Sequence, residues 1–116
     1  MITNRIVLLA VQLCFAVESD HGRNAVTSDN GRAVGAYQIW PITVHETRRL
    51  VGRDLWTLED RHNPQKSRAM CAVILHHHYN RGVRDVVQLA ARWRNPKGNA
   101  PAWHIRKLET RARVRH

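Results

Sequence analysis

Acidic residues and cysteines are both scarce in this chain. Nine Asp plus Glu stand against nineteen Lys plus Arg, and only Cys14 and Cys71 carry thiols. Two isolated cysteines argue against a zinc site and leave either buried free thiols or a single disulfide. Their apolar neighbours favour free thiols, because free Cys is among the most buried residue types. The deficit of acids leaves a formal net charge of +10. Such an excess predicts attraction to a polyanion (nucleic acid, anionic membrane or acidic cell-wall polymer) without choosing among them. No internal repeat, low-complexity linker or domain boundary interrupts the chain, so its 116 residues read as one domain, 1–116. Hydrophobic residues make up 43%, enough for a real core and too many for wholesale disorder.

Long hydrophobic runs are also lacking. The longest apolar stretch, Ile6 to Val17, is broken by Gln12 and is too short to span a bilayer. With Arg5 ahead of it and Cys14-Phe15-Ala16 offering a small-x-small pattern, a signal peptide is a rival reading. Cleavage there would strand Glu18 almost at the new terminus, so a folded helix is expected instead, capped by Thr3 or Asn4 and continuing to about Ser19.

Beyond it, Asn30-Gly31 sits between two short segments and favours a type I′ turn, which predicts a small β-hairpin. Pro41 is placed for the first position of a helix that Gly52 closes. Asn63-Pro64 opens another, stopped by Gly82. Val86, Leu89, Ala90 and Trp93 form one stripe of a further helix, and PAWHIRKLETRAR supplies the last. The expected fold class is α+β, mainly helical, with one small β-hairpin.

Glu18 is the residue that this layout singles out. A glycosidic bond breaks when a carboxylic acid protonates the leaving oxygen while positive charge develops on the sugar. Burial against apolar groups keeps such an acid protonated near neutral pH. Phe15, Ala16 and Val17 precede Glu18 at the end of an apolar helix. The competing reading is an exposed Glu at a helix C-terminus, weakened because a negative charge there opposes the helix dipole.

Glu18-Ser19 after an apolar helix, then Gly35-Ala36-Tyr37-Gln38-Ile39 and Pro41, resembles the lytic transglycosylase (SLT-domain) and goose-type lysozyme group. There an E-S pair is followed by G-x-x-Q-I with a Pro soon after. Ala91-Arg92-Trp93-Arg94-Asn95 resembles the A-R-x-x-N or A-Y-N segment that borders the cleft. The resemblance runs from roughly Leu9 to Leu108 and implies a lysozyme-like domain whose central helix carries the acid. It makes Glu18 the general acid and Gln38 a hydrogen-bonding partner of the sugar, with Tyr37 in the cleft wall. Thr27 or Ser28 matches a hydroxyl near the acid or the N-acetyl group, and Asn95 the cleft-border Asn. Pro96 and Lys97 replace the usual glycines, Arg94 stands where the A-Y-N form has Tyr, and Trp40, Trp93 or Tyr79 are left as candidate sugar-stacking aromatics.

The activity implied is cleavage of the β-1,4 bond between N-acetylmuramic acid and N-acetylglucosamine in peptidoglycan, by a monomer without a cofactor. Its partners would be glycan strands and anionic wall polymers, without a specific nucleic acid. Secretion, periplasmic export and delivery by a phage all remain open. His76-His77-His78 is tempting for a metal, but consecutive helical residues point in different directions. Trp56 and Trp103 read as core. The rival classes are a small basic nucleic-acid-binding protein and a non-catalytic wall-binding module. The first leaves the E-S and G-x-x-Q-I pairing unexplained; the retained Glu18 argues against the second.

Overall fold

The computed structural model describes residues 4–25, 27–53 and 55–114. Five α-helices carry the fold: α1 (Arg5–Ser19), α2 (Pro41–Val51), α3 (Pro64–Asn80), α4 (Val86–Arg94) and α5 (Ala102–Val114), with a 3₁₀ helix at Leu58–His62 between α2 and α3. α1 is the central helix, in contact with α3, α4 and α5. It buries Val7, Ala10, Val11, Leu13, Cys14, Ala16 and Val17, while Gln12, the one interruption of its apolar run, faces solvent. Met70, Ile74 and Leu75 of α3 and Leu89 and Trp93 of α4 join the same core. At ~25 cal/mol per Å² of apolar surface, burial of this kind is the main stabilising contribution to a domain this small.

Local chemistry accounts for the helix ends. Asn4, Asn63 and Asp85 each accept a backbone N–H of the first turn, from Val7, Lys66 and Gln88 respectively, which satisfies donors that the helix itself leaves orphaned. Pro41 and Pro64 occupy first-turn positions where no N–H is needed. α1 ends where Asp20 turns left-handed and its N–H reaches back to the Ala16 carbonyl. Cys14 and Cys71 are free and buried, and Trp56 is buried too.

The expected α+β class with its β-hairpin is not what the chain forms. Among the described residues there is no strand, and only two isolated antiparallel bridges, Ser28 with Ala33 and Val34 with Ile39, lie where the hairpin was placed. The Asn30-Gly31 turn does form, with positive φ at Asp29, Asn30 and Gly31. Ala33 and Val34 are adjacent, however, and a second turn through Gly35 and Gln38 follows at once. Neither turn is followed by a run of extended residues, so no ladder can propagate. The domain is helical, with a double-turn loop where the hairpin was expected.

Candidate active site

Glu18 lies in the last turn of α1, one residue before the chain reverses. Ser19 makes that reversal: its hydroxyl donates to the Phe15 carbonyl at 3.3 Å and accepts the Gly22 N–H at 2.8 Å. The Ser of the E-S pair is therefore a structural stop that fixes where Glu18 points. A cleft of about 250 Å³ opens against Glu18. Ala33, Gln38 and Trp40 of the double-turn loop form one side, Ile42 and Thr43 begin α2, and Trp93, Arg94 and Pro96 close it at the end of α4. Glu18 is the only carboxylate among these lining residues. A larger hollow of about 420 Å³ lies between Phe15, His21 and Pro64, and its lining holds no carboxylate.

The Glu18 side chain is only 5% exposed and, among the described residues, receives one hydrogen bond, 3.3 Å from Arg94 Nη2 to Oε1. Burial pushes its carboxyl up from the usual glutamate value, and the positive charges of Arg94 and Lys107 offset that only in part. Asp29 of the loop adds a small push in the same direction as burial. The result is an acid held closer to its protonated form than an ordinary surface glutamate, in a cleft with room for a ligand.

Gln38 lines the cleft with a left-handed backbone, φ 51°. A positive φ is uncommon for so long a side chain, and such conformations cluster at functional sites. Its side chain is oriented from two directions, as the Ser28 hydroxyl donates to Oε1 at 2.5 Å and Nε2 donates to the Gly35 carbonyl at 3.0 Å. Ser28 thus acts through Gln38, whereas Thr27 is exposed and outside the lining. Tyr37 is not a wall residue: it is 3% exposed, and its ring stacks on Phe15 at 5.2 Å. Its carbonyl accepts the Trp93 indole N–H at 2.8 Å, tying loop to α4 behind the cleft. Asn95 caps the end of α4 and does not line the cleft, where Arg94 and Pro96 stand on either side of it in sequence.

Of the candidate aromatics, Trp40 and Trp93 reach the cleft and Tyr79 does not. Trp103 was expected in the core but is 51% exposed, its ring centroid 5.9 Å from the Arg94 guanidinium. Sequence reasoning noted Arg94 only as a departure from a pattern; nothing in the order of residues signals its ion pair with Glu18. Asp20 is engaged elsewhere, by Arg111 of α5 at 3.2 Å and by Arg23. Among the described residues no group of three or more His, Cys, Asp or Glu is arranged to hold a metal ion. Comparison with protein-family models, with curated proteins and with solved structures finds no match to this chain.

Proposed function

We propose that the chain cleaves the β-1,4 glycosidic bond between N-acetylmuramic acid and N-acetylglucosamine in peptidoglycan, with Glu18 as general acid. The observation that carries this reading is a lone carboxyl, 5% exposed and shifted toward its protonated form, on a cleft with sugar-sized room. The resemblance of Glu18-Ser19 and Gly35 to Ile39, with Pro41 beyond, to the lytic transglycosylase and goose-type lysozyme group supports the choice of substrate. Glu18 protonates the glycosidic oxygen as the bond to the sugar's anomeric carbon breaks and positive charge spreads over that ring. Gln38, with its amide held by Ser28 and the Gly35 carbonyl, is placed to orient the sugar beside the scissile bond. Trp40 offers the apolar surface against which a pyranose ring packs, and the buried Trp93 supports the cleft from behind.

A nucleophile or base carboxylate would have to stand within about 5–10 Å of the acid. Among the described residues no second carboxylate lines the cleft: Asp20 is paired with arginines outside it, and Asp29, whose charge is felt at Glu18, stands in the double-turn loop outside the lining. This favours completion by a loosely held water or by the sugar's own hydroxyl.

The test is turbidity loss of purified peptidoglycan. Glu18→Gln keeps the shape without a transferable proton and is expected to lose at least ~100-fold in rate. Asp20→Asn and Asp29→Asn are expected to keep at least about a tenth of it, well short of the loss of an essential acid or base. A Glu18→Gln variant that clears peptidoglycan at the wild-type rate rejects the assignment. Mass spectrometry of the products, showing anhydro-muramic or ordinary reducing ends, names how the reaction is completed.

A further inference from the structure

We propose that Arg94 selects the substrate: its guanidinium leaves Glu18 to bind the carboxylate of an acidic hexosamine in the cleft, and this exchange readies Glu18 to act. The proposal rests on the glycosidase reading above and adds to it a specificity-determining residue.

The Glu18–Arg94 contact is built to be exchanged. It consists of one hydrogen bond at 3.3 Å, and among the described residues the Arg94 side chain makes no other. A bidentate fork onto a carboxylate is shorter and stronger than this, so a ligand carboxylate that accepts two N–H groups outcompetes Glu18. The two partners are also unequal in exposure, 5% for Glu18 against 44% for Arg94. Arg94 is the more exposed partner, and its guanidinium already lies over the ring of Trp103 at 5.9 Å, a contact it can keep on releasing Glu18.

Among the described residues Arg94 is the only cation in the cleft lining. A carboxylate entering beside the buried Glu18 would be repelled unless Arg94 took it. A neutral hexosamine carries nothing that competes for the guanidinium, so Glu18 stays paired with Arg94, whose charge offsets part of the rise that burial imposes. N-acetylmuramic acid differs from N-acetylglucosamine by a lactyl ether that places a carboxylate within one sugar ring of the scissile oxygen. The charges acting on Glu18 are Arg94 from α4, Lys107 from α5 and Asp29 from the loop, and Arg94 is the larger of the two cationic effects. When Arg94 leaves, Glu18 takes up one proton from the bulk solvent (hydronium or buffer acid) while the substrate carboxylate stays ionised on Arg94. That proton then passes to the leaving oxygen, which keeps the electron pair of the broken bond.

The experiment compares wild type, Arg94→Gln and Arg94→Lys on muramyl-containing glycan fragments and on N-acetylglucosamine oligomers, across pH. Arg94→Gln should lower the ratio of kcat/KM for the acidic over the neutral glycan by about ten-fold or more, the scale of a hydrogen bond to a charged group. Arg94→Lys should recover part of that ratio. The alkaline limb of kcat/KM, which reports the free enzyme, should move to higher pH in Arg94→Gln. On the muramyl glycan the limb of kcat should move less than that of kcat/KM, because in the wild-type complex Arg94 has already moved off Glu18. An unchanged ratio, or both limbs moving together, overturns the proposal.

A second arm needs no turnover. The Glu18 carboxyl, followed by carbon-13 NMR, should titrate at higher pH when N-acetylmuramic acid is added and not when N-acetylglucosamine is. The shift should be absent in Arg94→Gln; its absence from wild type, or its persistence in the variant, overturns the exchange. Glu18→Gln assayed alongside separates the two failures. If that variant still clears peptidoglycan, the glycosidase reading falls, while the titration still decides the role of Arg94.

Discussion

Two opposing influences meet at Glu18. Burial raises its protonation value from the ordinary 4.5, and Arg94 and Lys107 pull it back without cancelling the rise. The folded chain therefore binds more protons than the unfolded chain between the ordinary value and the raised one. The stability contributed by Glu18 is fully present below about 4.5 and is lost as pH rises through the raised value. Glu18→Gln removes this dependence. Its Tm relative to wild type should accordingly climb as pH is taken from 4 to 8, measured by thermal unfolding at each pH. A difference that stays flat would mean that burial does not hold this acid toward its protonated form. The acid itself was legible in the sequence because a carboxylate closing an apolar helix is chemically conspicuous. Its ion pair was not, since Arg94 lies 76 residues away and only packing of α4 on α1 brings the two together.

At the scale of elements, the helices were readable and the loop was not. Asn4, Pro41, Gly52 and Asn63-Pro64 act through local hydrogen bonds and fixed dihedrals, and these do not wait for tertiary structure. The double-turn loop depends on a partner far along the chain. Arg61 of the 3₁₀ helix donates to the carbonyls of Arg32 at 2.9 Å and Ile39 at 3.1 Å, pinning the two turns together. Its own carbonyl is held by the Ser67 hydroxyl of α3 at 3.0 Å. The approach is so close that a Cβ on Gly35 would stand 2.0 Å from the Arg61 carbonyl oxygen. Gly35 also has φ 84°, so glycine is required there twice over. Gly35→Ala should cost about 2 kcal/mol or more, from backbone strain and a clash with main chain, and should displace the Gln38 side of the cleft. Gly31→Ala is the control, having the same φ of 84° with nothing within 4 Å of an added Cβ. Chemical denaturation of both variants checks the order. Equal losses would show that the Arg61 contact contributes nothing beyond the dihedral.

For the whole molecule, charge and burial combine to set the response to acid. The chain already carries a formal +10, and every histidine that protonates adds to its self-repulsion. Burial lowers His78 to about 4, with Arg92 the next cause. It lowers His104 as well, with Arg94 and Lys107 contributing. The His104 residue is 1% exposed, and among the described residues neither ring nitrogen has a hydrogen-bond partner. Both histidines resist protonation in the folded chain, while the unfolded chain protonates near 6.5. The contribution of His78 is fully present above about 6.5 and is lost as pH falls toward about 4, and that of His104 is lost in the same direction, the opposite slope to that of Glu18. Loss of stability between pH 7 and pH 4 should follow, seen as a falling Tm. His104→Leu should raise stability by about 1–3 kcal/mol at pH 5 by removing an unpaired buried polar ring, and should flatten the fall. His78→Gln should flatten it further, because its ring no longer resists a charge. Thermal unfolding of wild type, both single variants and the double variant across this range is the measurement. A slope unchanged in the double variant would place the acid sensitivity in the surface charge alone. The sequence could not have marked His104, because its α5 neighbours Trp103 and Arg106 are exposed while it is buried. Which face of α5 turns inward is decided by α1 and α4, against which it packs. The same packing sets Lys107 near Glu18, so one helix couples the acid's protonation to the stability of the domain.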